Sequence, residues 1–437
     1  MKQPVIVIGA GWSGLTAALA LAERGEPVIV LEASTIPGGR ARSIDHGGRI
    51  HDNGQHLLLC ACTRVIERIT RLGLDPEQAF LRLPLRLRMH RPAAECLELG
   101  TSRRPWPLHL IEGLVRARGL ALPERFAFAA CLPDILFNTP SEESTVQEWL
   151  DGLAQPPSLC RRLWHALCVS ALNTDPEQAS ARLFARVLRE TFRPPARRAD
   201  LWIPRRPLSA IFPEPAVHRI RRLGGQVRFR HRAVALEARA GQWRVQCRNG
   251  ARLEGRIILA TPPWSAARLL AGIPGTGALC RRLERLVPSP ITTLWLEYPE
   301  PPPLPAPLIG LEAAPYQFVF DHTPLGARGR LALVASGPAA NRALDAMDSP
   351  ARRAHALLRE RCTGWPATEP VAWQVRERRA TFLATPEAER ARPGADCGLP
   401  GLMLAGDWTA TSLPATLESA VRSGETAAEL AYRQRPV

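Results

Sequence analysis

The sequence predicts an α/β protein with a Rossmann-type nucleotide-binding domain that is discontinuous in the chain. Three observations indicate this fold: a strand–glycine loop–helix–strand unit at the N-terminus, a β-rich stretch near the middle, and a strand followed by a long helix at the C-terminus. The 437 residues are enough for two or three domain-sized cores. We expect a nucleotide-binding domain over 1–85, 200–275 and 395–437, and a mixed α+β substrate-binding domain over 86–199 and 276–394.

The N-terminal unit begins with a short strand typical of a buried parallel sheet. Residues 5–8 are apolar and β-branched, and residues 28–31 repeat that pattern. Between them, residues 15–24 are rich in alanine and leucine and predict a helix that Gly25 can end. The order is that of a βαβ unit.

A glycine triplet joins the first strand to the first helix, and Glu32 ends the second strand. The glycines at 9, 11 and 14 permit a tight turn, close approach of a pyrophosphate, and close packing of helix on strand. The helix N-terminus offers free N–H groups to a phosphate, and Glu32 can accept hydrogen bonds from a ribose. FAD and NAD share this signature, so the triplet alone predicts a dinucleotide without choosing between them.

The rest of the chain changes character twice. Residues 86–200 are rich in Leu, Ala and Arg, are interrupted by prolines, and predict helices. Residues 225–260 alternate apolar and polar side chains, end in a buried run, and predict strands. The proline-dense stretch 299–307 predicts a surface loop, and residues 402–405 and 415–432 predict a closing strand and helix.

The net charge of +16 comes almost entirely from arginine, since Lys2 is the single lysine. The arginines are scattered, and no nucleic-acid fold signature accompanies them, so we expect no nucleic-acid partner. A GC-rich coding bias and attraction to an anionic membrane surface both explain the charge, and the sequence leaves both open. Because Lys2 is the single lysine, the chain offers no lysine for a Schiff base, for a PLP enzyme or for a Walker A loop.

Other classes of site also lack their signatures. The ten cysteines contain no Cys-x-x-Cys pair and the ten histidines no His-Glu-x-x-His pattern, so we expect neither disulfide redox chemistry nor a metal site. No apolar run approaches the roughly 20 residues that span a bilayer. The first residues show no charged region followed by a cleavage site, so we expect a cytoplasmic protein that is not exported.

Two segments that follow Glu32 favour FAD over NAD. Pro-Gly-Gly-Arg at 37–40 and Asp-Asn-Gly-Gln-His at 52–56 resemble the flavin-dependent amine oxidase and phytoene desaturase superfamily. The resemblance implies that Arg40 lies near the FAD pyrophosphate and that residues 54–56 lie beside the flavin.

The C-terminal part supplies a second match to the same superfamily. Leu-Ala-Gly-Asp-Trp at 404–408 is followed by residues 413–424, which open the closing helix. In that superfamily the Gly-Asp pair contacts the ribityl and pyrophosphate part of FAD, and the final helix points its N-terminus at the flavin pyrimidine ring. The positive end of that helix would stabilise negative charge on reduced flavin. A residue in the β-rich stretch touches the adenine in that superfamily, and Ala233 occupies that position here.

The resemblance therefore implies FAD as cofactor and one set of binding residues. They are Gly9, Gly11, Trp12, Ser13, Gly14, Glu32, Ala33, Gly39, Arg40, Gly54, Gln55, His56, Ala233, Gly406, Asp407, Thr416 and Leu417.

Four longer segments resemble the hydroxysqualene dehydroxylases of bacterial squalene and hopanoid synthesis. They are residues 52–59, 168–180, 207–216 and 406–424, so the resemblance runs nearly the whole chain. It implies reductive removal of the hydroxyl group of hydroxysqualene, an apolar isoprenoid, to give squalene. Because such substrates reside in membranes, we expect peripheral contact with an anionic membrane at its inner face.

The implied reaction needs an acid that protonates the departing hydroxyl group, besides a hydride from reduced flavin. His56 is the first candidate because it lies beside the implied flavin contact, and His165 and Asp175 are weaker ones. Aromatic side chains could stabilise an allylic cation or line an apolar pocket; the candidates are Trp202, Trp295 and Phe318.

Three alternatives stand beside this interpretation. A carotenoid-type desaturase shares the flavin site and the apolar substrate. An amine oxidase is disfavoured, because those enzymes commonly hold a lysine close to the flavin and this chain has only Lys2. A non-catalytic prenyl-lipid carrier resembling the Rab GDP-dissociation inhibitors would bind no flavin, whereas the Gly9 loop and the Gly406-Asp407 pair are both intact here.

Overall fold

The computed structural model describes residues 3–90, 96–239 and 242–434. Across these ranges, no helix is both long enough and apolar enough to cross a membrane.

The strands are short and are spread along the whole described chain. They are β1 Val5–Ile8, β2 Val28–Leu31, β3 Ser43–His46, β4 Arg49–Asp52, β5 Leu58–Leu59, β6 Phe80–Leu83, β7 Arg86–His90, β8 Leu97–Gly100, β9 Leu201–Pro204, β10 Gln226–Arg228, β11 Ala233–Arg239, β12 Gln242–Cys247, β13 Arg252–Leu259, β14 Pro288–Glu297, β15 Leu308–Leu311, β16 Phe318–Asp321, β17 Arg330–Ser336, β18 Val371–Phe382 and β19 Leu402–Leu404.

The helices are concentrated between β8 and β9 and at the C-terminus. They are α1 Trp12–Ala22, α2 Thr63–Arg71, α3 Pro76–Ala79, α4 Leu108–Val115, α5 Leu122–Phe137, α6 Val146–Gly152, α7 Pro157–Leu159, α8 His165–Leu172, α9 Ala181–Phe192, α10 Leu208–Ile211, α11 Pro213–Arg222, α12 Pro263–Leu270, α13 Gly277–Glu284, α14 Gly337–Asp345, α15 Pro350–Arg361, α16 Pro386–Ala391 and α17 Leu417–Arg433.

The first sheet has the strand order β10-β2-β1-β13-β12-β11, with β19 also paired to β13. Strands β10, β2, β1, β13 and β19 run parallel, so their carboxyl ends meet at one edge. The first half of β13 instead pairs antiparallel with β12, which joins the β-rich stretch to the parallel core. This is the Rossmann-type arrangement that the sequence predicts, and it draws strands from three separate parts of the chain.

Helices α1 and α17 pack together against this sheet. A Cβ at Gly424 would lie 2.3 Å from the carbonyl oxygen of Ser13, so glycine is what lets the two helices approach this closely. Their apolar side chains, among them Leu15 and Val421, are fully buried in one cluster with strand residues such as Val7. The N-terminal and C-terminal parts of the chain therefore share one core.

The second sheet has the strand order β18-β14-β17-β16-β15-β7-β8 and is antiparallel except between β15 and β7. A smaller antiparallel sheet, β5-β9-β6, and the hairpin β3–β4 complete the described strands. The strands of the second sheet all fall within 86–199 and 276–394, and those of the first sheet within the other segments. The two-domain division remains a proposal, which this separation of the sheets supports.

Two details of the sequence prediction are wrong. The first helix begins at Trp12 rather than at residue 15, because Gly11 is its N-cap and the helical backbone starts at once. The stretch from residue 86 is not helical at its start: β7 and β8 precede the first helix of that region. Leu87 and Met89 alternate with exposed or half-buried neighbours, a period of two that the surrounding leucine-rich and arginine-rich composition obscures.

Candidate functional site

A cavity of about 1010 Å³ lies at the carboxyl ends of the parallel strands. The residues directly after β1, β2 and β13 line it, namely Gly9, Glu32 and Ala260, and so does Gly406, two residues after the end of β19. Ligands of open α/β sheets bind at this edge. The volume is at the upper end of the roughly 300–1,000 Å³ of ordinary ligand sites, so the cavity can hold more than one small molecule.

The residues that the resemblance implied for FAD all line this cavity except Gly14. They come from the glycine loop, the end of β2, residues 39–56, the start of β11, residues 406–407 and the start of α17. Residues more than 400 positions apart in the chain thus share one wall.

Gly11 and Gly14 have different structural roles. A Cβ at Gly11 would meet no atom within 4 Å and would point into open space, so a bound group can approach the backbone there. A Cβ at Gly14 would lie 2.0 Å from the carbonyl oxygen of Gly9, so this glycine serves close packing of α1 on the strand. The first N–H groups of α1 are free to bind an anion, and no side chain caps them. These features fit the pyrophosphate of a dinucleotide.

Glu32 is held in place by the backbone of the glycine loop. One carboxylate oxygen accepts from Ala10 N and the other from Ser34 N, each at 2.7 Å. A carboxylate has further lone pairs, so Glu32 can still accept from a ribose hydroxyl. Ala233, the residue implied for adenine contact, begins β11 and lies in the same wall.

Arg40 joins three distant parts of the chain. Its guanidinium donates to the carbonyl oxygen of Ala380 at 2.8 Å and forms an ion pair with the buried carboxylate of Asp407. Arg392, which is also buried, donates to the carbonyl oxygens of Asp407 and Thr409 and fixes the loop that carries Asp407. The basic and acidic groups at this point are therefore paired before any ligand enters.

The N-terminus of α17 faces the cavity. Thr416 is its N-cap and accepts from Ser419 N at 3.2 Å, and residues 414–417 line the cavity wall. Glu418 in the first turn points away, where it accepts from the N–H groups of Arg64 and Val65. The positive end of a long helix thus points at the cavity and favours negative charge there.

The wall away from the glycine loop is mainly apolar. It is formed by alternate residues of β14, β16 and β17, by the start of β15, by residues 85 and 87 at the start of β7, and by α8 and α9. The apolar members are Leu85, Leu87, Leu167, Phe184, Val187, Leu188, Phe192, Ile291, Leu308, Phe318, Phe320 and Val334. The cavity therefore has a polar end against the first sheet and an apolar end against the second.

His56 lies in the wall between these two ends. Its Nε2 is buried and has no hydrogen-bond partner among the described residues. Burial lowers the pKa of His56 to about 4, so the ring is neutral near pH 7. The adjacent Gln55 is fixed by Thr293 Oγ1, which accepts from its N–H at 3.1 Å, and by the half-buried His322, whose Nε2 lies 2.6 Å from its side-chain oxygen.

The weaker acid candidates lie outside the cavity wall. His165 lies in α8 with its Nε2 2.9 Å from the side-chain oxygen of Gln147, and Asp175 follows the same helix. Burial raises the pKa of Asp175, but neither residue lines the cavity. Of the aromatic candidates, Phe318 lines the cavity, whereas Trp202 and Trp295 are buried in the core behind it.

Sequence reasoning missed the polar residues that the second sheet contributes. Four of these residues line the cavity: Thr293, Gln317, Ser336 and Glu377. Glu377 belongs to β18 and brings a carboxylate into the wall. Between the pairs Ser289↔Thr381 and Ile291↔Glu377, residues 378–380 bulge opposite Pro290. A proline inside a strand lacks the N–H that a regular ladder needs, so Pro290 was the available sequence signal for this bulge.

Among the described residues, no group of three or more His, Cys, Asp or Glu side chains is arranged to hold a metal ion. The ten cysteines are all free. The site has a polar end with features that suit a dinucleotide, and an apolar chamber beside it.

Comparison with known proteins agrees with this geometry. The sequence model of the family described as flavin containing amine oxidoreductase matches residues 12–431. A hydroxysqualene dehydroxylase from Rhodopseudomonas palustris is 34% identical over 98% of this chain and 98% of its own length. One from Sinorhizobium fredii is 33% identical over 99% of each chain. A 15-cis-phytoene desaturase from Glycine max is more distant, at 24% identity over 67% of this chain and 54% of its own.

Solved structures show the same fold. A cyclohexylamine oxidase from Brevibacterium oxydans superimposes with a TM-score of 0.74, covering 99% of each chain, at 17% identity. At that identity the likeness concerns the fold alone, and it confirms the amine oxidase-like α/β fold that the sequence predicts.

Proposed function

Since the chain belongs to the flavin-containing amine oxidoreductase family, we propose that this FAD-dependent oxidoreductase removes the hydroxyl group of hydroxysqualene reductively and yields squalene. The observation that carries the proposal is the continuous cavity, in which a dinucleotide-binding end opens directly into a chamber of leucine, valine and phenylalanine side chains. The hydroxysqualene dehydroxylases that match nearly the full chain support the choice of substrate.

We assign the polar end to FAD. The free N–H groups at the start of α1 and the open space at Gly11 would receive the pyrophosphate, and Glu32 the ribose. Ala233 would contact the adenine through its backbone. Arg40 and the N-terminus of α17 would offset the negative charge of the cofactor.

The apolar end suits a long hydrocarbon chain. Its leucine, isoleucine, valine and phenylalanine side chains outnumber the polar ones, of which Glu377 is the acidic member, and burying the substrate there contributes about 25 cal/mol for each Å² of apolar surface removed from water. An amine would instead need a charged or polar group to replace its hydration, and the chain has no lysine beyond Lys2 for the arrangement that amine oxidases commonly use.

The reaction breaks one C–O bond and forms one C–H bond. Bound reduced FAD supplies the hydride that replaces the hydroxyl group. The hydroxyl oxygen takes up a proton and departs as water, so atoms and charge balance. The task left to the protein is to hold the allylic C–O bond in place, to exclude bulk water and to supply that proton.

We propose His56 as the proton donor, because its ring lies in the wall between the polar and apolar ends. With a pKa of about 4, only about one ring in a thousand is protonated at pH 7, but the protonated ring is a correspondingly strong acid. Glu377 is a second candidate, since it also lines the cavity and a carboxyl group can donate when protonated.

The direct test is anaerobic incubation of the reduced, FAD-loaded protein with hydroxysqualene. We expect squalene by mass spectrometry, with flavin oxidised in the same amount as squalene formed. A Glu32→Ala variant without bound FAD is the matched control and should form none. Failure of the wild-type protein to form squalene under these conditions overturns the proposal.

Two other functions give different results in the same experiment. A carotenoid-type desaturase would leave hydroxysqualene unchanged and would dehydrogenate phytoene when its flavin is oxidised. A non-catalytic lipid carrier would bind hydroxysqualene, convert nothing and retain no flavin after reconstitution with FAD.

A further inference from the structure

Large apolar side chains are exposed together on two neighbouring helices and just before the first of them. They are Trp106, Leu108, Ile111, Val115, Leu122, Phe126 and Phe137, which we call the α4–α5 face. Phe126 is 72% exposed, Leu122 70% and Val115 69%. Other exposed apolar residues of the described chain are spread over distant segments. Single exposed apolar side chains are ordinary, but a group of this size marks an interaction surface.

The helical spacing places these residues on common sides of α4 and α5. Leu108, Ile111 and Val115 follow one another by three and four residues, and so lie on one side of α4. On α5, Leu122 and Phe126 are four residues apart. The rings of Trp106 and Phe137 meet edge to face with centroids 6.5 Å apart, which joins the two helices into one patch.

The opposite sides of these helices are already packed. On α5, Phe128, Cys131 and Ile135 lie in one buried cluster with Phe184 and Leu188 of α9. A helix that is apolar on both sides is normally buried on both sides. The inner packing of α4 and α5 therefore leaves the α4–α5 face without a partner in the described chain.

The charges around the face are positive. Arg103, Arg104, Arg116 and Arg118 are exposed. The acidic side chains of α4 and α5 are less accessible. Glu124 is buried, the half-buried Glu112 pairs with Arg104 and Arg116, and the half-buried Asp134 accepts from the side chain of Asn138. The exposed ionic groups beside the face are thus arginines.

We propose that the α4–α5 face docks on an anionic lipid bilayer, with its apolar side chains in the interface and its arginines at the headgroups. Apolar side chains combined with peripheral cations, and an exposed tryptophan among them, are what such surfaces require. A second copy of the chain fits less well, because a twofold interface would set the same arginines against one another without exposed acids between them.

Helix α5 packs directly behind α9, which forms part of the cavity wall. Phe184 and Leu188, which pack against α5, also line the cavity. Docking would therefore bring the apolar end of the cavity next to the phase in which a squalene-type substrate dissolves. This link to substrate supply rests on the proposed function, whereas the docking itself does not.

The test is flotation of the full-length, FAD-loaded protein with vesicles of phosphatidylcholine, with and without phosphatidylglycerol. We expect the wild type to float with the anionic vesicles and less with the neutral ones. Val115→Gln combined with Phe126→Gln should reduce the partition coefficient about tenfold or more, because binding scales with the apolar area inserted. The control, Ile50→Gln combined with Val371→Gln, changes two other exposed apolar residues, 56% and 70% exposed, and should float like the wild type. Flavin absorption and melting temperature report that each variant is folded.

Two results overturn the docking surface. One is a wild type that stays unbound to anionic vesicles at low salt. The other is a double variant at Val115 and Phe126 that floats like the wild type, including the case in which light scattering shows the wild type to be a dimer and this variant a monomer. Turnover of detergent-dispersed hydroxysqualene separates the two proposals. Docking can be lost while that turnover is kept, and flotation persists if hydroxysqualene is not the substrate.

Discussion

Substitution of Gly11 by alanine should weaken FAD binding and leave the protein folded, whereas the same change at Gly14 should unfold it. The backbone of Gly11 has φ of −75° and ψ of 178°, an extended conformation that any residue adopts. Its added Cβ would meet no atom within 4 Å and would occupy the open space of the cavity. The added Cβ at Gly14 would lie 2.0 Å from a carbonyl oxygen of the backbone, which cannot move aside without shifting the glycine loop.

The magnitudes follow from the cost of inserting a methyl group where space is already taken. Overpacking costs about 1–3 kcal/mol. For Gly11→Ala this cost falls on the complex with FAD, so the dissociation constant should rise about 5- to 150-fold. For Gly14→Ala the cost falls on the folded protein and lies at or above the upper end of that range. Gly11 is also the N-cap of α1. The effect of losing glycine there on the stability of the helix is the same with and without FAD, so it does not change the dissociation constant.

The assay is titration of the apoprotein with FAD, followed by flavin fluorescence, beside thermal unfolding of the same apoprotein. Gly11→Ala should show the weaker binding with a melting temperature close to that of the wild type. Gly14→Ala should melt at a clearly lower temperature or fail to fold. A Gly11→Ala variant with wild-type affinity would show that the cofactor does not pass over the glycine loop.

Three further changes test other parts of the site. Glu32→Ala removes a carboxylate from the proposed ribose site, so FAD affinity measured by the same titration should fall about tenfold or more; unchanged affinity would exclude Glu32 from the site. Burial raises the pKa of Asp52 from 3.8 to about 6, so the folded protein favours the protonated carboxyl group. The stability that this preference gives is fully present below about pH 4 and is lost as the pH rises through about 6, which lowers the free energy of unfolding by about 3 kcal/mol. Asp52→Asn can still accept from Ser43 and Leu208, so denaturant unfolding should show it more stable than the wild type above pH 6 and equal near pH 4; a constant difference would contradict this. If His56 donates the proton, turnover should rise up to about tenfold per pH unit as the pH falls from 7 toward 5, and His56→Asn should abolish that rise, whereas Glu377→Gln should not; the reverse result would assign the proton to Glu377.

The parts of the site that the sequence predicts are those built from contiguous segments. The strand, the glycine loop and the start of α1 are consecutive in the chain, and so are β19, the Gly406-Asp407 pair and α17. Local backbone geometry decides what such a segment can bind, and it is encoded in adjacent residues. Such segments also keep a recognisable sequence, and it was their resemblance to one superfamily that assigned residues from both ends of the chain to one wall.

The apolar chamber depends on strand register, which no local pattern encodes. Thr293, Gln317 and Glu377 reach the cavity only because β14, β16, β17 and β18 pair in one particular register, with a bulge at 378–380. A shift of one residue would turn each of these side chains to the opposite face. In the same way, the α4–α5 face consists of aliphatic and aromatic side chains, which composition alone assigns to a core.

The contacts of Arg40 explain how a site built from distant segments can be a single unit. Its guanidinium holds the carbonyl oxygen of Ala380 and the carboxylate of Asp407, which lie 340 and 367 residues further along the chain. Closing such long loops costs conformational entropy that a single ion pair does not offset, so the shared core of α1, α17 and the first sheet must supply most of the stabilisation. The ion pair then fixes the relative position of the glycine loop, the closing helix and β18. Because β18 also carries Glu377, one joint fixes both the polar end and a part of the chamber wall, so we expect a substitution of Arg40 to weaken cofactor binding and substrate binding together.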